Sequence, residues 1–364
     1  MIPLFKVFLP PKAELFPELE KVLYSGYIGQ GPKVDEFERE FGHYIGTDKV
    51  LTVNSGTSAL HLALHLAGVE GGEVITTPMT CTATNFPILA NRAKIVWGDI
   101  DPETGMLDPA DVEKKITSET RAIMVVHWGG TPADLSGFAY LRQKYGIPII
   151  EDAAHALGAE WEGRRIGNNT ADYTCFSFQA IKHITTVDGG MLVLNSQDNY
   201  KRAKLLRWYG IDREGARKDL RCEEDVVEWG YKFHMNDVNA TIGLIALKHL
   251  NEQVSKHRMN AMLYDYEIEN KKIKKPRGYP GGQSSYWLYT LQVPKRDQFI
   301  KYMAKLGVAT SKVHARNDTH TVLKEFKADL PGVDEFVRGM VAIPVHSGLT
   351  AEDLVLVSSA CNNW

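Results

Sequence analysis

The sequence predicts an α/β protein with a mostly parallel central sheet covered by helices, followed by a smaller C-terminal α+β domain. Two observations carry this prediction. Short apolar runs rich in β-branched residues alternate with amphipathic helical patterns through the first half of the 364-residue chain. Beyond residue 245 the alternation gives way to a long polar helical stretch and a few separate strands, so the domains expected are residues 1–245, with an N-terminal helical arm, and residues 246–364.

Helical spacing begins over residues 17–24 and is broken by Ser25-Gly26-Tyr27-Ile28-Gly29-Gln30-Gly31-Pro32. A second helix is predicted over 33–44, with Val34, Phe37 and Phe41 on its apolar face. The connector between them is either a plain turn or a loop that lines a substrate, with Tyr27 and Gln30 as its candidate contacts. Val50–Val53 reads as a strand, Asn54-Ser55-Gly56-Thr57-Ser58 as a turn, and 59–67 as a helix. Strands then follow at Glu73–Thr76, Lys94–Trp97, 121–127 and 147–150, alternating with helices over 85–91, 108–115 and 138–145.

Farther along, a short apolar strand contains Ser177 and leads through Lys182, Thr185-Thr186 and Gly189-Gly190 into a strand over 191–194. Helices are predicted at 198–209, 237–250 and 251–270, with a charged and aromatic segment over 212–234. The second domain should contain strands at 287–293 and 341–345 and a helix over 297–306.

Composition narrows the function. Hydrophobic content of 44% and a net charge of −3 fit a globular protein and argue against a nucleic-acid binder. Cys81, Cys175, Cys222 and Cys361 are spread too widely for a Cys-x-x-Cys metal or redox motif, so reduced thiols are expected. Neither a signal-peptide pattern nor a bilayer-length apolar run is present, which leads to the expectation of a cytoplasmic protein.

Three local patterns point to one chemistry. The strand-to-helix turn at Gly56, Thr57 and Ser58 offers backbone N–H groups, a helix dipole and two hydroxyls to a phosphate, although a Ser- or Thr-capped helix has the same pattern. Glu151-Asp152 ends an apolar strand and enters a turn of small residues. A carboxylate there is either a partner for a buried cation or an ordinary helix-capping acid. Lys182 stands among aromatic residues and paired glycines, where desolvation would free its amine to attack a carbonyl; most lysines are simply solvated. Pyridoxal 5'-phosphate needs these three groups together: an amine for its aldehyde, an acid for its pyridine nitrogen and a cup for its phosphate.

The chain resembles the nucleotide-sugar aminotransferase family of the DegT/StrS type, within the fold-type I pyridoxal phosphate enzymes. The resemblance runs through 25–32, Asn54-Ser55-Gly56-Thr57-Ser58-Ala59-Leu60-His61, Glu151-Asp152-Ala153-Ala154-His155, 176–190 and Gly230-Tyr231-Lys232-Phe233-His234-Met235-Asn236. It implies that Lys182 carries the cofactor and shuttles a proton, that Asp152 pairs with the ring nitrogen, and that Thr57, Ser58 and Ser177 hold the phosphate. It implies His155 beside the ring, where the family more often has glutamine. It also implies amino transfer, usually from L-glutamate, to a keto sugar on a nucleotide, by a homodimer with shared sites.

Two positions depart from the family pattern. Cys81 stands where an aromatic ring often covers the cofactor, leaving His127 or Trp128 as other sources of a ring. Lys232 stands where an asparagine reaches the neighbouring subunit's phosphate. Substrate contacts are expected from Tyr27, Gln30, His314 and Arg316. The alternatives are sugar dehydration or elimination on the same cofactor, amino transfer to a keto-cyclitol, and a non-catalytic regulator that keeps the fold. Lys182 favours amino transfer, because relatives acting as dehydratases have histidine at its place.

Overall fold

The computed structural model describes residues 1–215 and 225–364, so Cys222 and part of the charged segment lie outside the described residues. The chain opens with helices α1 (Lys12–Leu23) and α2 (Pro32–Ile45), then β1 (Val50–Val53), α3 (Gly56–Leu66), β2 (Glu73–Thr76), α4 (Thr82–Ala90) and β3 (Lys94–Trp97). It continues through α5 (Pro109–Lys115), β4 (Thr120–Val126), α6 (Leu135–Tyr145) and β5 (Ile149–Asp152). The short pair β6 (Glu160–Trp161) and β7 (Arg164–Arg165) precedes β8 (Tyr173–Ser177) and β9 (Gly190–Leu194).

These strands form a seven-stranded sheet in the order β1-β9-β8-β5-β4-β2-β3. The β2–β3, β2–β4, β4–β5 and β5–β8 pairs are parallel. β9 runs antiparallel to both neighbours, because the turn carrying Lys182 returns the chain directly beside β8 instead of crossing over a helix. Asp152 and Ser177 therefore end adjacent parallel strands on the same edge of the sheet, where α/β proteins place ligands. The core on this sheet is made of residues such as Leu51, Val74, Ile123, Ile150 and Leu192.

Two long helices follow, α7 (Gln197–Leu206) and α8 (Asp237–Lys248), and α9 (Leu250–Glu267) runs on from α8 after a one-residue break. β10 (Gly282–Gln283) joins β6 and β7 in a small sheet. β11 (Tyr289–Gln292), α10 (Arg296–Lys305), α11 (Pro331–Gly339), β12 (Met340–Ile343) and α12 (Ala351–Asn362) complete the chain, with β11 and β12 antiparallel.

The apolar interior separates near the middle of α9. Leu250 and Val254 pack with Phe37, Phe41 and Phe178, whereas Ala261 and Tyr264 pack with Tyr289, Phe299 and Val341 in another core. Ile2 belongs to that other core, pinned by Ile2 N donating to Gly307 O at 2.7 Å and Ala309 N donating to Ile2 O at 2.9 Å. The expected boundary at 245/246 falls inside α8. Among the described residues no helix is long and apolar enough to cross a membrane, and no His, Cys, Asp and Glu cluster is arranged to hold a metal.

Candidate active site

Lys182 lies on the loop between β8 and β9, half-buried, with Nζ 3.9 Å from the centre of the Trp287 ring. Loss of water lowers its pKa from 10.5 to about 8, against the smaller opposing electrostatic influence of Asp152 and Cys81. The amine is thus much closer to neutrality at physiological pH than an ordinary lysine.

Asp152 ends β5 and is buried. Its Oδ2 accepts from Thr84 Oγ1 at 2.6 Å and its Oδ1 from the Ala154 backbone N–H at 3.0 Å, and no cation pairs with it among the described residues. Thr84 is held in turn by Thr80, Oγ1 to Oγ1 2.6 Å. Strand alternation sends the neighbouring Glu151 to the opposite face, where it accepts from Thr174 Oγ1 at 2.7 Å and lies 3.8 Å from His127 Nε2. Only Asp152 of the two acids is therefore available to a ligand on Lys182's side.

The cup forms because Gly56 lets two backbones close together. A Cβ on Gly56 would stand 2.8 Å from Ser177 Cβ, which brings the end of β8 against the start of α3. Ser55 caps the helix, its Oγ accepting from Ser58 N–H at 3.0 Å. Ser58 Oγ donates to Asn54 Oδ1 at 2.6 Å and lies 2.9 Å from Ser55 Oγ. The N–H groups of Gly56 and Thr57 have no intrahelical acceptor at this position, and the exposed Thr57 hydroxyl has no partner among the described residues. Ser58 thus shapes the cup more than it offers free donors, a refinement of its expected role.

His155 is buried and stacks on Trp287 at 3.8 Å between ring centres, 19° from parallel, with Nδ1 unpartnered. His314 lies parallel to it at 5.9 Å, also with an unpartnered nitrogen, Nε2. Burial and the Lys182 charge keep both imidazoles neutral: His155 falls well below its ordinary value and His314 to about 4. The edge of Trp128 meets both rings. His127, the other ring considered, is fully buried and accepts from Ala133 N–H through Nδ1, so it does not face the lysine. Cys81 immediately precedes α4, half-buried, with a free thiol.

The outer candidates sort differently. Arg316 does not offer a free guanidinium: Nε and Nη2 donate to the Asp318 carboxylate at 2.7 and 2.6 Å, and Nη1 pairs with Asp334. Its position two residues after His314 does not carry over to chemistry, because those two carboxylates satisfy it. Lys232 is exposed beside the cup, with its carbonyl accepting from Asn54 Nδ2 at 3.2 Å and its amine unpaired among the described residues. The loop bearing Tyr27 and Gln30 is fastened to the start of α8, where Asp237 accepts from Gly31 N–H at 2.8 Å and Val34 N–H at 3.1 Å. Tyr27 stays exposed, and the Gln30 side-chain oxygen Oε1 is buried without a donor among the described residues. Trp287 and Thr84 were not expected in the site. Trp287 is hidden in sequence as the first residue of an apolar strand, and Thr84 as one of several threonines before a helix.

These groups fit pyridoxal phosphate. The buried Asp152 carboxylate lacks a cation that a protonated ring nitrogen would supply, the amine is desolvated, and the start of α3 has unspent N–H groups. The description of the DegT/DnrJ/EryC1/StrS aminotransferases matches residues 11–361. The chain belongs to this family. It is a pyridoxal phosphate-dependent aminotransferase.

The sugar aminotransferase CalS13 of Micromonospora echinospora has the same fold over the whole of both chains, at 39% identity and a TM-score of 0.95. A UDP-4-amino-4,6-dideoxy-N-acetyl-β-L-altrosamine transaminase of Campylobacter jejuni is 32% identical across 93% of this chain and 91% of its own. Spr1654 of Streptococcus pneumoniae, described as a sugar aminotransferase, is 27% identical. Its PLP-form covers 99% of this chain and 98% of its own at a TM-score of 0.89. The fold-type I architecture and the mostly parallel sheet expected of this chain are those of these structures.

Proposed function

We propose that the enzyme transfers an amino group from L-glutamate to a keto sugar carried on a nucleotide, as a cytoplasmic homodimer whose two sites are shared between subunits. The desolvated Lys182 beside the unpaired Asp152 carries the aminotransferase reading, and the names of the related transaminases support a sugar as acceptor. We further propose two domains, parted along α9.

Bound pyridoxal phosphate supplies an electron sink for charge that develops at the donor's α-carbon. The Gly56 and Thr57 N–H groups, with the Thr57 and Ser177 hydroxyls, would hold its phosphate, and Lys232 of the partner subunit would add an ammonium. Asp152, which accepts from the Thr84 hydroxyl and the Ala154 N–H, would hold the ring nitrogen. Lys182 would anchor the cofactor, and its amine, when free, would take the proton from the donor's α-carbon and deliver one to the acceptor's former carbonyl carbon. With a pKa of about 8 roughly a tenth of that amine is neutral at pH 7, whereas an ordinary lysine has less than about one part in a thousand. Neutral His155 and His314 border the site without adding charge that would repel the lysine.

A panel of nucleotide-linked 3-keto and 4-keto sugars and a keto-cyclitol, with L-glutamate as donor and mass detection of the product, tests the proposal. The expected result is an amino product from at least one nucleotide-linked sugar. Turnover of the cyclitol alone, or loss of water from a sugar without amine gain, refutes it.

A further inference from the structure

We propose that Trp287 is a positioning residue for Lys182: it clamps the lysine loop from the other side of the site and controls how much water reaches the amine. The inference rests on Lys182 being the cofactor's anchor. Its ground is that the residues on both sides of the lysine are tied to one segment of the chain about a hundred positions away.

Trp287 Nε1 donates to the Ile181 carbonyl at 2.8 Å, and His183 Nε2 lies 2.9 Å from the Ser285 carbonyl. That carbonyl can only accept, so the His183 nitrogen is the donor. Lys182 is therefore bracketed, one residue before and one after, by 285–287. The segment itself is fixed. Ser285 N–H donates to Gly130 O and Leu288 N–H to Gly129 O, each at 3.0 Å, and Tyr286 holds the left-handed backbone at φ 49°, which turns the chain between those anchors. His257 Nδ1 secures the Tyr286 carbonyl at 2.8 Å.

The indole is 3% exposed and is walled by rings, His155 at 3.8 Å and Phe5 at 4.9 Å. Lys182 Nζ sits 3.9 Å from its centre. The tryptophan acts on the amine in two opposed ways. It excludes water, which favours the neutral amine, and its π face attracts the ammonium, which favours the charged one. Burial is the largest influence on Lys182, ahead of Asp152 and Cys81, and the indole is the ring in direct contact with its amine, so exclusion of water is the effect expected to dominate.

Competitive acylation of Lys182 between pH 6 and 11, read by peptide mass spectrometry on the full-length protein freed of cofactor, measures the amine directly. W287A should raise the labelling midpoint by at least one pH unit, lowering the neutral fraction about tenfold at pH 7.5. W287L, dry but without the π face, should lower it. W287F should keep the midpoint within half a unit of wild type yet reduce kcat more than KM, because it loses the bond to Ile181. Circular dichroism checks that each variant is folded. Unchanged midpoints in both folded W287A and folded W287L overturn the proposal, and if W287A does not fold, an unchanged midpoint in W287L alone does so. Borohydride reduction of wild-type holoenzyme separates the underlying reading: absence of cofactor mass on the Lys182 peptide refutes the anchor, whatever the tryptophan variants do.

Discussion

Replacing Lys182 with methionine should make the cofactor-free protein more stable, and by an amount that depends on pH. The folded protein holds the lysine at a pKa of about 8, while in the unfolded chain it returns to about 10.5. At 1.4 kcal/mol for each tenfold change, the buried ammonium costs at most about 3 kcal/mol, and residual water access reduces that figure. The sign follows from proton binding. Below pH 8 both states are protonated and the full cost is present; between pH 8 and 10.5 the unfolded chain binds more protons, so wild type gains stability as pH rises; above 10.5 the cost is gone. Lys182→Met should therefore exceed wild type by up to about 3 kcal/mol at pH 7, equivalent to about 4 °C in melting temperature for a chain of this size. The advantage should shrink steadily by pH 10.5. Paired thermal or urea unfolding of the two cofactor-free proteins at pH 7 and 10.5 measures it. A difference that is the same at both pH values, or a methionine variant less stable at pH 7, refutes the assignment of a desolvated lysine.

Gly56→Ala would press a methyl group to 2.8 Å from Ser177 Cβ, so a cost of about 1–3 kcal/mol and at least a tenfold loss of cofactor affinity are expected in an absorbance titration with pyridoxal phosphate. Arg207→Leu would leave Glu38 charged and buried beneath β1, where Arg207 Nη1 now donates to it and to Thr52 O and Oγ1. Urea unfolding should show a loss of about 3–5 kcal/mol, with part recovered when Glu38→Gln is added.

The strands and helices of the sheet were legible because each carries a period and a punctuating turn. Val50–Val53, Glu73–Thr76 and Lys94–Trp97 have the predicted limits. The strand expected at 147–150 instead runs from Ile149 to Asp152. The polar pair Glu151-Asp152 reads as a turn in sequence, yet both side chains are buried and bonded on opposite faces. α12 was missed although Thr350 and Asp353 form a capping box at its start, and the two-residue strands β6, β7 and β10 are too short to show any period. In the site, Lys182, Asp152 and the Gly56 cup could be found because each stands at a break in a pattern. Trp287 stands inside one, and Arg316 had the right charge but two carboxylates to satisfy it, neither of which local sequence reveals.

Ile2 packs with the second core, while α1 lies against α8 through Leu15, Ile242 and Ile245. After α9 the chain goes back and forth: Trp287, Leu323 and Phe336 pack in the core on the large sheet, whereas Tyr289, Phe299 and Val341 pack in the other. The two cores are thus sewn together by several stitches, and Phe5, resting against Trp287, ties the first of them to the wall of the lysine's chamber.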